Sequence, residues 1–203
     1  TVLGFFHGLS QGRLDIQGKI LDTADHIESN IVLNHFAEKQ GFDFDKNGEM
    51  GRKGKVNNEL LNQLNQLDFY LNDPPKSLGR EWVEKVFMPV LNDFEITEED
   101  KLSTVYEHIA QQIVGIVLGQ DKGEGREKML VTGGGALNTY LVERLQTHTG
   151  SELIIPDREI IDYKEAIIFA LLGVLKDQNE INCLKSVTGA RINHSSGVIY
   201  TLY

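Results

Sequence analysis

The stretch EKMLVTGGGALNTYLVERL, from Glu127 to Leu145, constrains the fold more than any other part of the chain. An apolar run that reads as a strand meets three consecutive glycines, Gly133, Gly134 and Gly135, and an amphipathic helix begins at about Asn138. Such a turn exposes backbone N–H groups unhindered by side chains, and the start of the helix adds a partial positive charge that suits phosphate. The missing Cβ atoms also let a flat adenine or a ribose lie against the main chain. The same residues suit a plain tight turn, and the spacing is neither G-x-x-x-x-G-K-[ST] nor G-x-G-x-x-G. Two readings therefore stand side by side: a nucleotide wall or a turn. Asn138 divides in the same way, into a helix cap or a ligand donor.

Around this unit the pattern alternates. A strand over Met129 to Thr132 and a helix over about Asn138 to Gln146 lead to a strand over Leu153 to Pro156. A helix from about Tyr163 to Lys176 and a strand-like GVIYTLY, Gly197 to Tyr203, complete the series, and alternation of this kind predicts an α/β layer. Upstream the periodicity is helical. Ile27, Ile31, Val32, Leu33 and Phe36 share a face, with Asp25 and Glu28 spaced as a capping box and Gly41 as the stop. Leu60, Leu61, Leu64 and Leu67 mark a helix that begins after Asn57 or Asn58 and ends before Pro74 and Pro75. A short helix is expected to turn Trp82, Val86 and Val90 inward. Thr97 and Asp100 then cap a long one carrying Leu102, Val105, Ile109, Ile113, Ile116 and Val117. LDIQGKIL, Leu14 to Leu21, alternates like a hairpin, and FDFDKNGEMGRKGKV reads as polar loop. Asp43, Asp45, Asn47 and Gly48 sit at calcium-loop positions, but Gly54 stands where the bidentate glutamate belongs, so turn chemistry is the better account.

The balance of 20 basic and 30 acidic residues, a net charge of -10, repels polyanions and disfavours nucleic-acid binding, leaving room only for a local pocket that takes one small anion. One cysteine, Cys183, forms no internal disulfide, which fits a cytoplasmic location. Apolar runs such as AIIFALLGVL, Ala166 to Leu175, are shorter than a bilayer needs, so no membrane segment is expected. The six histidines lack zinc-ligand spacing, and no G-x-S-x-G elbow occurs. With no repeat and no long linker, residues 1–203 read as one compact unit, and the start at Thr1 suggests a piece of something longer.

Four blocks in order, PKSLGREW (Pro75 to Trp82), LVTGGGALN, DYKEAIIFALLGVL (Asp162 to Leu175) and SVTGA (Ser186 to Ala190), resemble the carboxyl-terminal half of the anhydro-N-acetylmuramic acid kinases. The resemblance implies a ribonuclease-H-like lobe of the sugar kinase, actin and Hsp70 group, with an inserted helical region between about Val56 and Leu118. It also implies ATP and Mg²⁺ as cofactors and an activity in cell-wall recycling. There the 1,6-anhydro bridge of the muramyl sugar is hydrolysed and its 6-oxygen phosphorylated. In the family motif resembling Asp-Thr-Gly-Pro-Gly-Asn the aspartate is the base. Here the stretch reads DHIESN, in which Asp25 and Asn30 match and the residues between do not. Asp25 is thus the candidate base or simply a helix cap, and Asn30 a candidate sugar ligand. Glu165 matches a glutamate that approaches the sugar and the attacking water, or else forms a capping box with Asp162. Arg80 faces an anionic group, or pairs with Glu81 or Glu84 on a helix surface. The hydroxyls of SVTGA either cap locally or face the cleft. The family's amino-terminal phosphate loop has no counterpart in Thr1 to Asp25, so the expected partners are a missing amino-terminal lobe, the anhydro sugar and ATP, with a homodimer also open. The competing expectation is a non-catalytic ligand-binding or assembly module that keeps the lobe's fold.

Overall fold

The computed structural model describes residues 2–4, 29–71, 79–118, 128–185 and 190–200. Strand β1 (Val2–Gly4) precedes helices α1 (Ser29–Lys39), α2 (Glu49–Lys53), α3 (Asn58–Asn65) and α4 (Asp68–Leu71). Helix α5 (Arg80–Trp82) passes through a π-helical turn (Val83–Phe87) into α6 (Met88–Asn92), and the long α7 spans Glu98–Leu118. Then come β2 (Lys128–Thr132), α8 (Thr139–His148), β3 (Glu152–Ile154) and α9 (Arg158–Asp177). The three strands pair in parallel in the order β1-β2-β3, with Leu3 opposite Val131 and Met129 opposite Leu153. A small parallel sheet with helices confirms the α/β class.

Helix α7 is the axis of the core. Its apolar Leu102, Val105, Tyr106 and Ile109 are buried, and so are Ser103, Thr104, Glu107 and His108 on its other faces. Helices α1, α2, α3 and α8 pack around it. The Thr97 hydroxyl accepts from the Asp100 N–H (3.1 Å), so the expected cap forms. Asn57 likewise caps α3 by accepting from Leu60 N (2.9 Å). Glu107 would be raised by burial, but the Gln111 amide, Arg144 and His148 together hold its carboxyl below the ordinary range. That cluster ties α7 to α8.

Several expectations need correction. The segment read as polar loop folds into a 3₁₀ turn (Lys46–Gly48) and α2, with Asp45, Met50 and Gly51 buried. Gly48, Gly51 and Gly54 explain how. A Cβ on Gly51 would collide with the Tyr106 ring, one on Gly48 with Tyr140 Cβ and Asn138 Oδ1, and one on Gly54 with the Glu99 carbonyl. Lys55 N then donates to Asp100 Oδ1 (2.6 Å) and Asn57 N to Thr104 Oγ1 (2.9 Å), stitching the segment to the start of α7. After Gly79 the inward face is Val83, Phe87 and Leu91, whereas Val86 is exposed and Trp82 and Val90 are only partly buried. Two apolar stripes lie one residue apart here, and the π-helical turn over Val83–Phe87 presents the second of them to the core. Helix α9 starts at Arg158, so Asp162 and Glu165 are interior helical residues and not a capping box; Asp162 accepts from Arg158 Nε (2.8 Å). Residues 197–200 are not a strand, and the chain nearby closes instead through a single bridge between Cys183 and His194. The hairpin read in Leu14 to Leu21, the box at Asp25 and Glu28, Pro74 and Pro75, and all of SVTGA but Ala190 lie outside the described residues.

Helix α9 leaves Ile160, Tyr163, Ile167, Phe169, Leu171 and Val174 exposed, an unusually apolar flank. No helix among the described residues is long and apolar enough to cross a membrane.

Two outcomes are expected. In urea melts, Gly54→Ala should lose about 1–3 kcal/mol through the forced separation from Glu99. Gly115→Ala, in α7 with open space at its Cβ, should instead gain about 0.5–1 kcal/mol. The second concerns His108. Asn65 donates its amide to Gln111, so its oxygen accepts from His108 Nδ1 (2.7 Å), and Nε2 lies buried beside Tyr70 and Phe87 without a hydrogen-bond partner. Desolvation pushes this imidazole down to about 3 from its ordinary 6.5. The unfolded chain therefore binds a proton below about pH 6.5 that the folded chain refuses, and stability falls with pH by about 1.4 kcal/mol per unit across that window. In His108→Gln the slope between about pH 6 and 4.5 should be shallower by about one proton's worth; an unchanged slope would show that His108 is not the refused site.

Candidate functional site

The carboxyl end of β2 leads into the glycines. Thr132, the last strand residue, is buried, and its Oγ1 has no hydrogen-bond partner. Gly133 comes next with φ 86° and ψ -177°, a conformation open to glycine and strained for any L side chain. Gly134 to Leu137 then coil into a 3₁₀ turn in which Ala136 N donates to Gly133 O (3.0 Å) and Asn138 N to Gly135 O (3.1 Å). The opening N–H groups of such a turn lack acceptors within it. A Cβ built on Gly134 meets nothing within 4 Å, so this glycine borders open space.

Asn138 is the cap of α8: its Oδ1 accepts from Leu141 N (3.1 Å). Its Nδ2 is engaged as well, donating to Tyr106 Oη (2.7 Å), and Tyr106 in turn donates to Asp45 Oδ2 (3.1 Å). Asp45 also accepts from Met50 N (2.9 Å) and Gly51 N (3.1 Å). Burial, then the neighbouring Asp45 carboxylate, push the Tyr106 phenol far above its ordinary range, and the Asn138 amide opposes them only in part, so Tyr106 keeps its proton. Sequence reasoning does not single out Asp45 or Tyr106 for the site. The available signal is the G-x-x-G-x-x-G spacing of Gly48, Gly51 and Gly54, which places small residues where another element must come close.

The other candidates lie on other elements. Arg80 is exposed at the start of α5, with Nε donating to Glu84 Oε1 (2.7 Å), so the helix-surface pairing is the one that forms. Glu165 is exposed midway along α9. Asn30 lies in the first turn of α1 with its side chain outside the described part, and Asp25 is outside altogether. Among the described residues no three His, Cys, Asp or Glu side chains converge to hold a metal ion.

A glycine-rich turn at the carboxyl end of a parallel strand, followed by a helix, defines an α/β unit of the kind that receives ligands beyond its strand ends. Known proteins narrow this. The family model for anhydro-N-acetylmuramic acid kinase matches residues 21–202, and the chain belongs to that family. It is 34% identical over 176 residues to the anhydro-N-acetylmuramic acid kinase of Aliivibrio fischeri, covering 84% of this chain and 48% of that protein. With the Sulfurovum sp. enzyme of the same name the identity is 32% over 198 residues, covering 92% and 52%. With that of Vibrio cholerae it is 33% over 180 residues, covering 84% and 47%. The chain thus spans about half the length of the curated relatives it matches.

The two leading glycines should separate experimentally. Gly133→Ala is expected to cost about 1–3 kcal/mol in chemical denaturation because its backbone must leave φ 86°. Gly134→Ala should leave stability within about 0.5 kcal/mol.

Proposed function

We propose that this chain supplies one wall of the cleft in which a kinase hydrolyses and phosphorylates 1,6-anhydro-N-acetylmuramic acid with ATP, in the cytoplasm, as part of cell-wall recycling. The open space over Gly134 carries the reading: it admits a flat group to the backbone where a parallel strand ends. Gly133, Gly134 and Gly135 would face the nucleoside end of ATP, with Asn138 fixing the turn. The lobe would be ribonuclease-H-like, and the apolar flank of α9 supports further protein packed against it.

Within that cleft Asp25 would take the proton of the water that opens the anhydro bridge. Asn30, Glu165 and Arg80 would orient the sugar. The Arg80 Nε bond to Glu84 is an exposed pair worth roughly 0–1 kcal/mol, so it opposes a turn toward an anionic group only weakly. Mg²⁺, when bound, would neutralise phosphate charge.

An ATP-dependent phosphorylation assay with the anhydro sugar tests the reading, comparing this chain with one extended by whatever its reading frame encodes upstream. The extended chain should turn over, Asp25→Asn should lower turnover by about 10²–10⁴, and Gly134→Val should raise the KM for ATP. Intact turnover in Asp25→Asn removes the base assignment. No phosphorylation from the extended chain would favour the non-catalytic module.

A further inference from the structure

We propose that Tyr106, aimed by Asp45, is a positioning residue that holds Asn138 and hence the Gly134–Leu137 turn in the shape that receives the nucleotide, a role that rests on the nucleotide wall assigned to that turn. Asn138 ends one structure and begins another. Its N–H closes the 3₁₀ turn on Gly135 O, and its Oδ1 starts α8 on Leu141 N. An amide flip would exchange its donor and acceptor and lose the Leu141 bond along with the Tyr106 bond. Tyr106 prevents the flip because its own proton is committed to Asp45, which leaves its oxygen as an acceptor for Asn138 Nδ2.

Asp45 can set that direction because it is itself immobilised. Two backbone N–H groups, of Met50 and Gly51, bind its carboxylate, and it is buried together with Tyr106. A Cβ built on Gly48, in the same segment, would lie 2.6 Å from Asn138 Oδ1, so the segment also packs closely against the cap. The 45–51 segment therefore reaches Asn138 by two routes, one polar and one steric.

A merely structural role is separated by a matched control. Tyr140 is also buried, stacks edge-on with Tyr106 at 5.1 Å between centroids, and shares a hydrogen bond with Ser103 Oγ (3.0 Å). Its hydroxyl has no part in the Asn138 contact. ADP titration by calorimetry on the 203-residue chain, with melting temperatures alongside, should show Tyr106→Phe binding ADP about tenfold more weakly, the scale of one oriented hydrogen bond. Tyr140→Phe should melt within about 3 °C of it and bind as the parent does. Asn138→Asp keeps the cap acceptor and loses the donor; it should weaken ADP to the same degree, and combining it with Tyr106→Phe should add nothing. If Tyr106→Phe does not fold, Asn138→Asp alone decides. Parent-like binding in Tyr106→Phe and Asn138→Asp, with Gly134→Val weakened, overturns the positioning role and leaves the nucleotide wall standing. Equal weakening in both tyrosine variants overturns it as well. A parent chain that does not bind ADP, or that binds it no better than Gly134→Val, overturns both.

Discussion

The absence of three Cβ atoms determines how the rest of the structure assembles. Gly48, Gly51 and Gly54 bring one short segment into contact with the Tyr106 ring, the Tyr140 side chain and the Glu99 carbonyl, distances that no other residue type permits. That contact leads to the burial of Asp45, the stitching of Lys55 and Asn57 onto α7, and the packing of α8 beside both. Helix α7 can carry polar residues on its buried faces because each neighbouring element brings it a partner. Glu107 meets Arg144 and His148, Thr104 meets Asn57, and Ser103 meets Tyr140. His108 is the exception, satisfied on one nitrogen only.

Elements that satisfy themselves locally are readable from the sequence. Helices α1, α3 and α7 announce themselves by apolar spacing and by caps such as Asn57 and Thr97, and β2 by an apolar run ending at glycine. What escapes depends on contacts distant in sequence. The segment around α2 is polar in composition, and its helix exists only because α7 and α8 accept its glycines. Choosing between the stripes at Trp82 and Val83 requires knowing that the π-helical turn presents Phe87 and Leu91 to the core. The start of α9 at Arg158 is hard to read because the charged Arg158, Glu159 and Asp162 surround Ile160 and Ile161, so the apolar spacing stands out only further along. In the site, the glycines and the Asn138 cap are legible, whereas Asp45 and Tyr106 lie about ninety and thirty residues away in sequence and carry no local motif.

Membership of the anhydro-N-acetylmuramic acid kinase family and the geometry at the end of β2 point the same way, although by different routes. The match spans roughly half of each relative's length. The geometry concerns a handful of backbone atoms. Their meeting point is the turn after Thr132, which the fold holds firmly from behind and leaves uncovered in front.

Within that turn, adjacent glycines answer to different demands. Gly133 is required by its left-handed backbone angle, while Gly134 has an ordinary angle and an empty space beside it. If the proposed nucleotide wall is right, a descendant that lost nucleotide binding would have to keep the first and could freely exchange the second. On that reading the pair would work as a record of use, with the residue at 134, compared across lineages, separating a fold merely inherited from one still in service.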